Sequence, residues 1–564
     1  MQPDAGISAE STGEAWLQLL GSRGVDMLFA NSGTDFPSIV EGLARAEHFG
    51  WRVPRPVIAP HENAAVSMAH GYAAVTGRAQ AVMVHVNVGT ANAVSGLLNA
   101  ERDYVPMLMA AGRTPFLEGG APGARSLNIH WAQEMFDQGG MVREATRWQY
   151  ELRDPRQMAA MTDRALALAE SVPAGPVYLT LPREVLAMPP AEAAPPPCRT
   201  TPVRAIAPAP EAVVAAAALL SRARRPLIIT ARAGMDRRVP ALMARLSQAL
   251  GATVVEYRPR HVNMSGTEPL HGGYEVGPHL PLADVVLVLD CDVPWIPDAD
   301  TLAPDARVIQ AGTDPLQARY AMRSFPSDLT LMGSPYLVLG ALLAELDGAA
   351  LGRGEARQAE AAAFCAGLRR QPFALERPPA QMTMGWVSYC IDRLRQPDSI
   401  LVNEYPLQRG VMRLTEPGGF LGSSPSGSLG WGLPAALGAR LAAPKQEVIA
   451  CLGDGSFIFA NPLACHQIAA AEGIAVLAVI FNNHRWNAVD RATRAMYPNG
   501  FAARANRMPL TALDPAPDYA GVAEACGLWG RAVTDPAALP AALTAALEAV
   551  RGGRSAVLDV SCQD

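Results

Sequence analysis

The chain has 564 residues, 49% of them hydrophobic and 18% charged, with a formal net charge of −6 at pH 7. That length holds about three or four domains of ordinary size, and the composition supports large cores. The acidic balance lacks the basic footprint of a nucleic-acid binder, and the longest clean apolar runs, such as Val213 to Leu220, fall short of the ~20 residues a membrane helix needs. The start, MQPDAGISAESTGEAWLQLL, has no positive segment followed by an apolar stretch, so no secretory signal is expected. The eight cysteines come no closer than 14 positions, at Cys451 and Cys465. This spacing gives neither a Cys-x-x-Cys site nor a disulfide framework, and the expected setting is reducing and cytoplasmic.

Taken from the N-terminus, DMLFA, PVIAP, AVMVHV, MLMAAG and PVYLTL read as strands. PLIIT, TVVEY, VVLVLD and RVIQAG follow, then ILVNE, EVIACLG, AVLAVIF and AVLDVS. Most are rich in β-branched residues and do not alternate, as strands buried on both faces should not. Helical stretches rich in Ala and Leu separate them, the pattern of repeated βαβ units. The expected class is α/β, with three Rossmann-like, doubly wound domains and mainly parallel sheets. Two stretches break the rhythm: the Pro- and Ala-rich run from Met188 to Ala212, read as a linker, and the loosely patterned run from Asp347 to Gln381. They suggest domains over residues 1–187, 188–360 and 361–564.

In chain order, the polar residues with possible chemistry begin with Thr34 and Asp35, in the loop after the first strand. Asp35 could cap the following helix. Glu62 stands where a helix starts after PVIAP, a place the helix dipole favours for an acid in any case. His85 ends the next strand. The unit from Gly453 to Asn483 is more specific. Asp454 sits just past one parallel strand and Asn482–Asn483 just past the next, so both reach the edge where open α/β sheets bind ligands. An Asp carboxylate, an Asn amide oxygen and a nearby backbone carbonyl are hard oxygen ligands suited to magnesium, which also takes phosphate oxygens.

Gly453-Asp454-Gly455, with 26 residues between Gly455 and Asn482, resembles the thiamine diphosphate signature. The resemblance runs over nearly the whole chain, to the superfamily of acetolactate synthase, benzoylformate decarboxylase and pyruvate decarboxylase. It implies thiamine diphosphate and Mg2+ as cofactors. Asp454 and Asn483 would ligate the metal by side chain and Arg485 by its backbone carbonyl, with Gly453, Gly455 and Ser456 beside the diphosphate. Leu429, in GSLGWGLPAALGARLA, matches the bulky residue that props the cofactor in its bent form. Glu62, in HENAA, matches the activating glutamate. VHVNVGTANAVSGL resembles benzoylformate decarboxylase, where His85 would be catalytic; Thr34 matches a polar residue that meets the substrate carboxylate. Gln133 and Glu134 resemble an element bordering the site in acetolactate synthases, beside the unusual His130 and Trp131. In SGTEPLHGGYEVG, Glu268 replaces the first histidine of a family loop and His271 keeps the second. Asp35, Gln133, His271, Trp486 and Val489 are the expected pocket residues.

Departures narrow these expectations. Ala231-Arg232-Ala233 replaces the Gly-rich turn of flavin-binding relatives, so FAD is not expected. No strict Gly-x-Gly-x-x-Gly occurs, which disfavours a nicotinamide dehydrogenase. The resulting expectation is a decarboxylase or carboligase acting on a small 2-oxoacid, closest to benzoylformate decarboxylase-like lyases. The alternative is an acetolactate synthase-like catalytic subunit. From another class, a non-catalytic cofactor-binding relative is opposed by the presence of Glu62. The resemblance also implies a homodimer or homotetramer with active sites at the subunit interface.

Overall fold

The computed structural model describes residues 9–191, 200–369 and 377–563. Residues 192–199 of the expected linker, and residues 370–376 of the second loose stretch, lie outside the described residues. The strands form three sheets, and every pairing is parallel. The first contains β1 (Met27–Asn31), β2 (Arg55–Ile58), β3 (Gln80–Val84), β4 (Met107–Arg113), β5 (Gln149–Glu151) and β6 (Pro176–Pro182), in the order β2-β1-β3-β4-β6-β5. The second contains β7 (Pro226–Thr230), β8 (Thr253–Glu256), β9 (Val285–Leu289), β10 (Arg307–Gly312) and β11 (Leu329–Met332), in the order β11-β10-β9-β7-β8. The third contains β12 (Ile400–Glu404), β13 (Phe420–Gly422), β14 (Val448–Gly453), β15 (Leu477–Asn482), β16 (Trp529–Val533) and β17 (Ala556–Ser561), in the order β13-β12-β14-β15-β17-β16.

The first and third sheets therefore share one strand order. Each reverses direction between its first and third strands in sequence, and the central sheet reverses between β7 and β9. Such switch points leave a crevice at the carboxyl ends of the strands. Central strands such as β3, β9 and β15 are buried along their whole length, which explains their uninterrupted apolar runs.

The two outer units are joined by a helix crossing. Helix Glu62–Thr76 packs on helix Gly432–Ala442, and a Cβ at Gly71 or Gly438 would overlap the partner helix's backbone at Ala435 or Met68. Glycine at these two positions lets the backbones touch. One apolar cluster then runs from Phe29 and Val82 in the first sheet through Met68 and Ala436 to Val402 and Ile480 in the third. The central sheet has its own core around Ile228, Leu246, Leu287 and Leu339.

Helix Gly348–Arg369 packs on that central unit: Arg357 donates to the carbonyl of Leu250, at 2.9 Å through Nε. The cut expected between 360 and 361 falls inside this helix. Among the described residues no single helix is long and apolar enough to cross a membrane.

Candidate active site

The structure builds two half-sites, one at each outer switch point. In the first, β1 ends at Asn31 and helix Glu62–Thr76 starts at Glu62. Asn31 Nδ2 donates to Glu62 Oε1 at 2.8 Å, and Asn92 Nδ2 donates to Oε2 at 2.6 Å. Both carboxylate oxygens are thus fixed in a buried position. The sequence reading missed both asparagines. Asn92 was legible in principle, nearly two turns into the helix that follows His85.

β3 ends at Val84, and His85 caps helix Val86–Arg102. Its Nδ1 lies 2.5 Å from Oδ1 of Asp35, which is buried and also accepts from the Val86 amide. A ring nitrogen facing a carboxylate carries the hydrogen, which leaves Nε2 free to exchange a proton. Nε2 faces Gln133 Nε2 at 3.4 Å.

Asp35 does not cap the next helix. That helix begins at Pro37 after Phe36, with no side-chain cap. Thr34 is exposed at the mouth of the same small cleft, with Arg113, His130 and Gln133 around it. Glu134 stays out of that cleft. It pairs with Arg113 and Arg125 and accepts from the Thr114 hydroxyl. Trp131 lies on the surface and donates to Glu118.

The second half-site lies between β12, β14 and β15. Gly453 pairs with Phe481, so Asp454 and Asn482 leave the sheet side by side. Asp454 is buried; Oδ1 accepts from the Gly455 amide at 2.9 Å, while Oδ2 is buried with no hydrogen-bond partner. Burial raises this carboxyl's pKa against the opposing pull of the Gly455, His484 and Arg485 amides. An orphaned carboxylate oxygen beside the Asn483–Arg485 turn fits a hard divalent cation, which would satisfy Oδ2 and offset the cost of ionising it.

Asn482 is not free for that role. Its amide donates to Asp559, and its oxygen accepts from the His484 amide. His484 has a left-handed backbone, φ 59°, a strained conformation that tightens the turn. A Cβ at Gly455 would overlap the Trp486 ring, so glycine there lets the indole close over the loop.

Asp454, Gly453, Gly455, Ser456, Leu429, Asn483, Arg485, Trp486, Val489 and His271 all line one cavity of about 1130 Å3. His271 is less available than its place suggests. Its Nδ1 accepts from the Gly273 amide and its Nε2 bonds Glu256 at 2.9 Å. Among the described residues, all those lining this cavity fall between Arg258 and Arg491, none of them in the first unit. Glu62 and His85 of the same chain are absent from it.

Glu404 is the residue the sequence reading passed over. It ends β12 and is fully enclosed, accepting from the Gly430 amide at 2.7 Å and the Gly432 amide at 2.6 Å. It thereby pins the glycine-rich loop that carries Leu429. Burial pushes its carboxyl from 4.5 up to about 7. A carboxyl raised on folding adds stability below its unfolded pKa, and that stability is lost as pH rises through the folded value. The melting temperature of the cofactor-free protein is therefore expected to fall between about pH 4.5 and 7. In Glu404→Gln that slope should flatten; equal slopes in the two proteins would remove Glu404 as its source.

The central switch point is filled by the chain itself. Arg232 lies 3.9 Å from Asp290, and its guanidinium sits 3.7 Å above the Tyr104 ring. Arg260 bonds Asp292 at 3.1 Å beside it. The replaced glycine turn noted in the sequence thus carries side chains that fill the crevice.

The chain is similar to known proteins over most of its length. The family model for the thiamine pyrophosphate enzyme N-terminal TPP binding domain matches residues 10–141, and that for the C-terminal TPP binding domain matches residues 407–560. Sulfoacetaldehyde acetyltransferase of Rhodobacter capsulatus is 28% identical, over 97% of this chain and 94% of its own. Benzoylformate decarboxylase of Pseudomonas aeruginosa is 28% identical, over 78% and 80%. Among solved structures, a thiamine diphosphate-dependent 4-hydroxybenzoylformate decarboxylase of Rhodococcus jostii RHA1 superposes with a TM-score of 0.78 at 22% identity, over 98% of this chain and 99% of that one.

Proposed function

Since the chain belongs to the thiamine pyrophosphate enzyme family, we propose that it is a magnesium- and thiamine diphosphate-dependent decarboxylase of a 2-oxoacid, with benzoylformate decarboxylase-like chemistry. When bound, the cofactor supplies a carbon acid whose conjugate base adds to the 2-oxo carbon and takes up the electrons left when carbon dioxide departs. The chain's own residues do the rest. Asp454, Asn483 and the Arg485 carbonyl would hold the cation, and Leu429 would support the cofactor from the side. Glu62 would hold a proton against the cofactor's aminopyrimidine. Thr34 would meet the substrate carboxylate.

The observation that carries the decarboxylase reading is the Asp35–His85 pair. It presents an oriented imidazole whose Nε2 can return the proton that converts the decarboxylated product to an aldehyde. An acetolactate synthase-like carboligase is the second reading. It is favoured by the similarity to an acetyltransferase.

The cavity around Asp454 draws on one half of the chain, so each complete site is proposed to need Glu62 and His85 from a second copy, in a homodimer or a pair of dimers. Exposed apolar side chains on both halves, among them Phe136, Phe501 and Leu510, supply surface for such an assembly.

The test is carbon dioxide release from a panel of 2-oxoacids by purified protein with thiamine diphosphate and magnesium, the aldehyde and any ligation product being identified. Asp454→Ala should lose magnesium-dependent cofactor binding in a calorimetric titration. Binding that stays magnesium-dependent in that variant would refute the metal assignment.

A further inference from the structure

Among the described residues, the cavity around Asp454 carries arginines beyond the Gly453–Ser456 and Asn483–Arg485 turns assigned above to the diphosphate and its metal. Among the described residues five arginines line it, Arg258, Arg369, Arg409, Arg485 and Arg491, against three acids, Glu275, Glu404 and Asp454. Two of the acids are committed: Glu404 to the glycine-loop amides and Asp454 to its own turn. Glu275 acts on Arg409 only through longer-range attraction. Nearby Glu256 is taken by His271 and by the Asn263 side chain. Arg369 spends its guanidinium on the Pro269 carbonyl.

Among the described residues, Arg258, Arg409, Arg485 and Arg491 have no carboxylate at ion-pair distance. Arg409 Nε and Arg485 Nε are buried without a hydrogen-bond partner, and so is the Tyr274 hydroxyl. The Arg409 guanidinium lies over the Tyr274 ring, 5.1 Å from its centroid, so the two side chains that carry this donor and hydroxyl pack together. Leaving such groups unmet in a buried place is costly. Arg258 and Tyr405, which line the same cavity, also hold left-handed backbones, φ 45° and 81°. Strain of this kind gathers where side chains are aimed at a ligand.

We propose that the substrate of this cavity carries a second anionic oxyacid head beyond its 2-oxoacid group, and that Arg409, beside Tyr274, binds that head. This rests on the 2-oxoacid reading above. A guanidinium fork matches a carboxylate or sulfonate in two parallel hydrogen bonds. Arg409 is then a specificity residue, remote from the bond that breaks.

The test compares 2-oxoacids of equal chain length, from five to seven carbons, that end in a carboxylate, a sulfonate or a methyl group. Acid-ended substrates should exceed methyl-ended ones in kcat/KM by on the order of 100-fold, and the carboxylate and sulfonate arms identify the head. Arg409→Met should erase the preference mainly through KM, leaving methyl-ended turnover and cofactor affinity unchanged. Arg409→Lys should restore part of it. A parallel titration of the holoenzyme with unreactive glutarate and butyrate should show tighter, salt-sensitive glutarate binding that Arg409→Met removes. Glutarate binding of that kind without carbon dioxide release from any 2-oxoacid would overturn the reaction class and keep the anion site. Equal rates for acid- and methyl-ended substrates, equal losses for both in Arg409→Met, or a fall in cofactor affinity in that variant would overturn the anion site.

Discussion

Glu62→Gln is expected to slow cofactor activation, and carbon dioxide release with it, by ~100- to 10,000-fold, the usual worth of a positioned acid–base group. The geometry makes the substitution informative. The residue opens a helix, where negative charge is favoured but is worth only about 0.3–1 kcal/mol. The helix-end charge itself is thus a small term, and the structural cost of the amide is read separately from the loss of activation. Asn31 and Asn92 each donate to one of its oxygens, so the carboxylate is aimed, and an amide in its place would turn a donor toward one of those donors. Exchange of the cofactor's thiazolium proton in heavy water, quenched and read by NMR, measures the step directly. Circular dichroism and cofactor titration on the same sample separate loss of activation from loss of fold. Exchange at the wild-type rate would return Glu62 to a helix-end role.

Most strands that sequence reading found carry continuous apolar runs, central ones such as β3, β9 and β15 being buried throughout, although it also found the edge strands β2 and β8. The strands it passed over, β5, β11, β13 and β16, all lie at sheet edges. Edge strands have one neighbour and an open side, and β5, β11 and β16 show the mixed burial that follows. β13 is buried but only three residues long, too short to stand out from a loop.

The site divides in the same way. Asp454 and Asn483 were legible because one βαβ unit carries both, and consecutive parallel strands bring their ends together. The Asp35–His85 pair spans 50 residues, and the loop and strand end meet only at the switch point between β1 and β3. Asp35 alone reads equally well as a helix cap. Glu404 ends a strand like many other acids, and its meaning comes from two glycine amides in a loop more than twenty residues on. The unpaired arginines run from Arg258 to Arg491 and form a group only in three dimensions.

The shared-site arrangement carries the other large expected effect. Among the described residues, the cavity holding Asp454 takes no residue from the first unit of its own chain, and Glu62 is held by Asn31 and Asn92 within that first unit. In the proposed assembly, Glu62 of one copy and Asp454 of the other would meet the cofactor together. Chains carrying Glu62→Ala and chains carrying Asp454→Ala should each be nearly inactive alone. In a mixed dimer with two-fold symmetry, one site collects both defects and the other collects neither. With random pairing about half the dimers are mixed, each with one intact site of two, so roughly a quarter of wild-type activity should return on co-expression. Differently tagged chains and tandem purification isolate the mixed dimer, where the recovery should approach about half. If both residues served a site within one chain, every site in that dimer would carry a defect. Activity no higher than that of either variant alone, in mixed dimers verified by mass spectrometry, would exclude the shared site and require Glu62 to reach Asp454 within its own subunit.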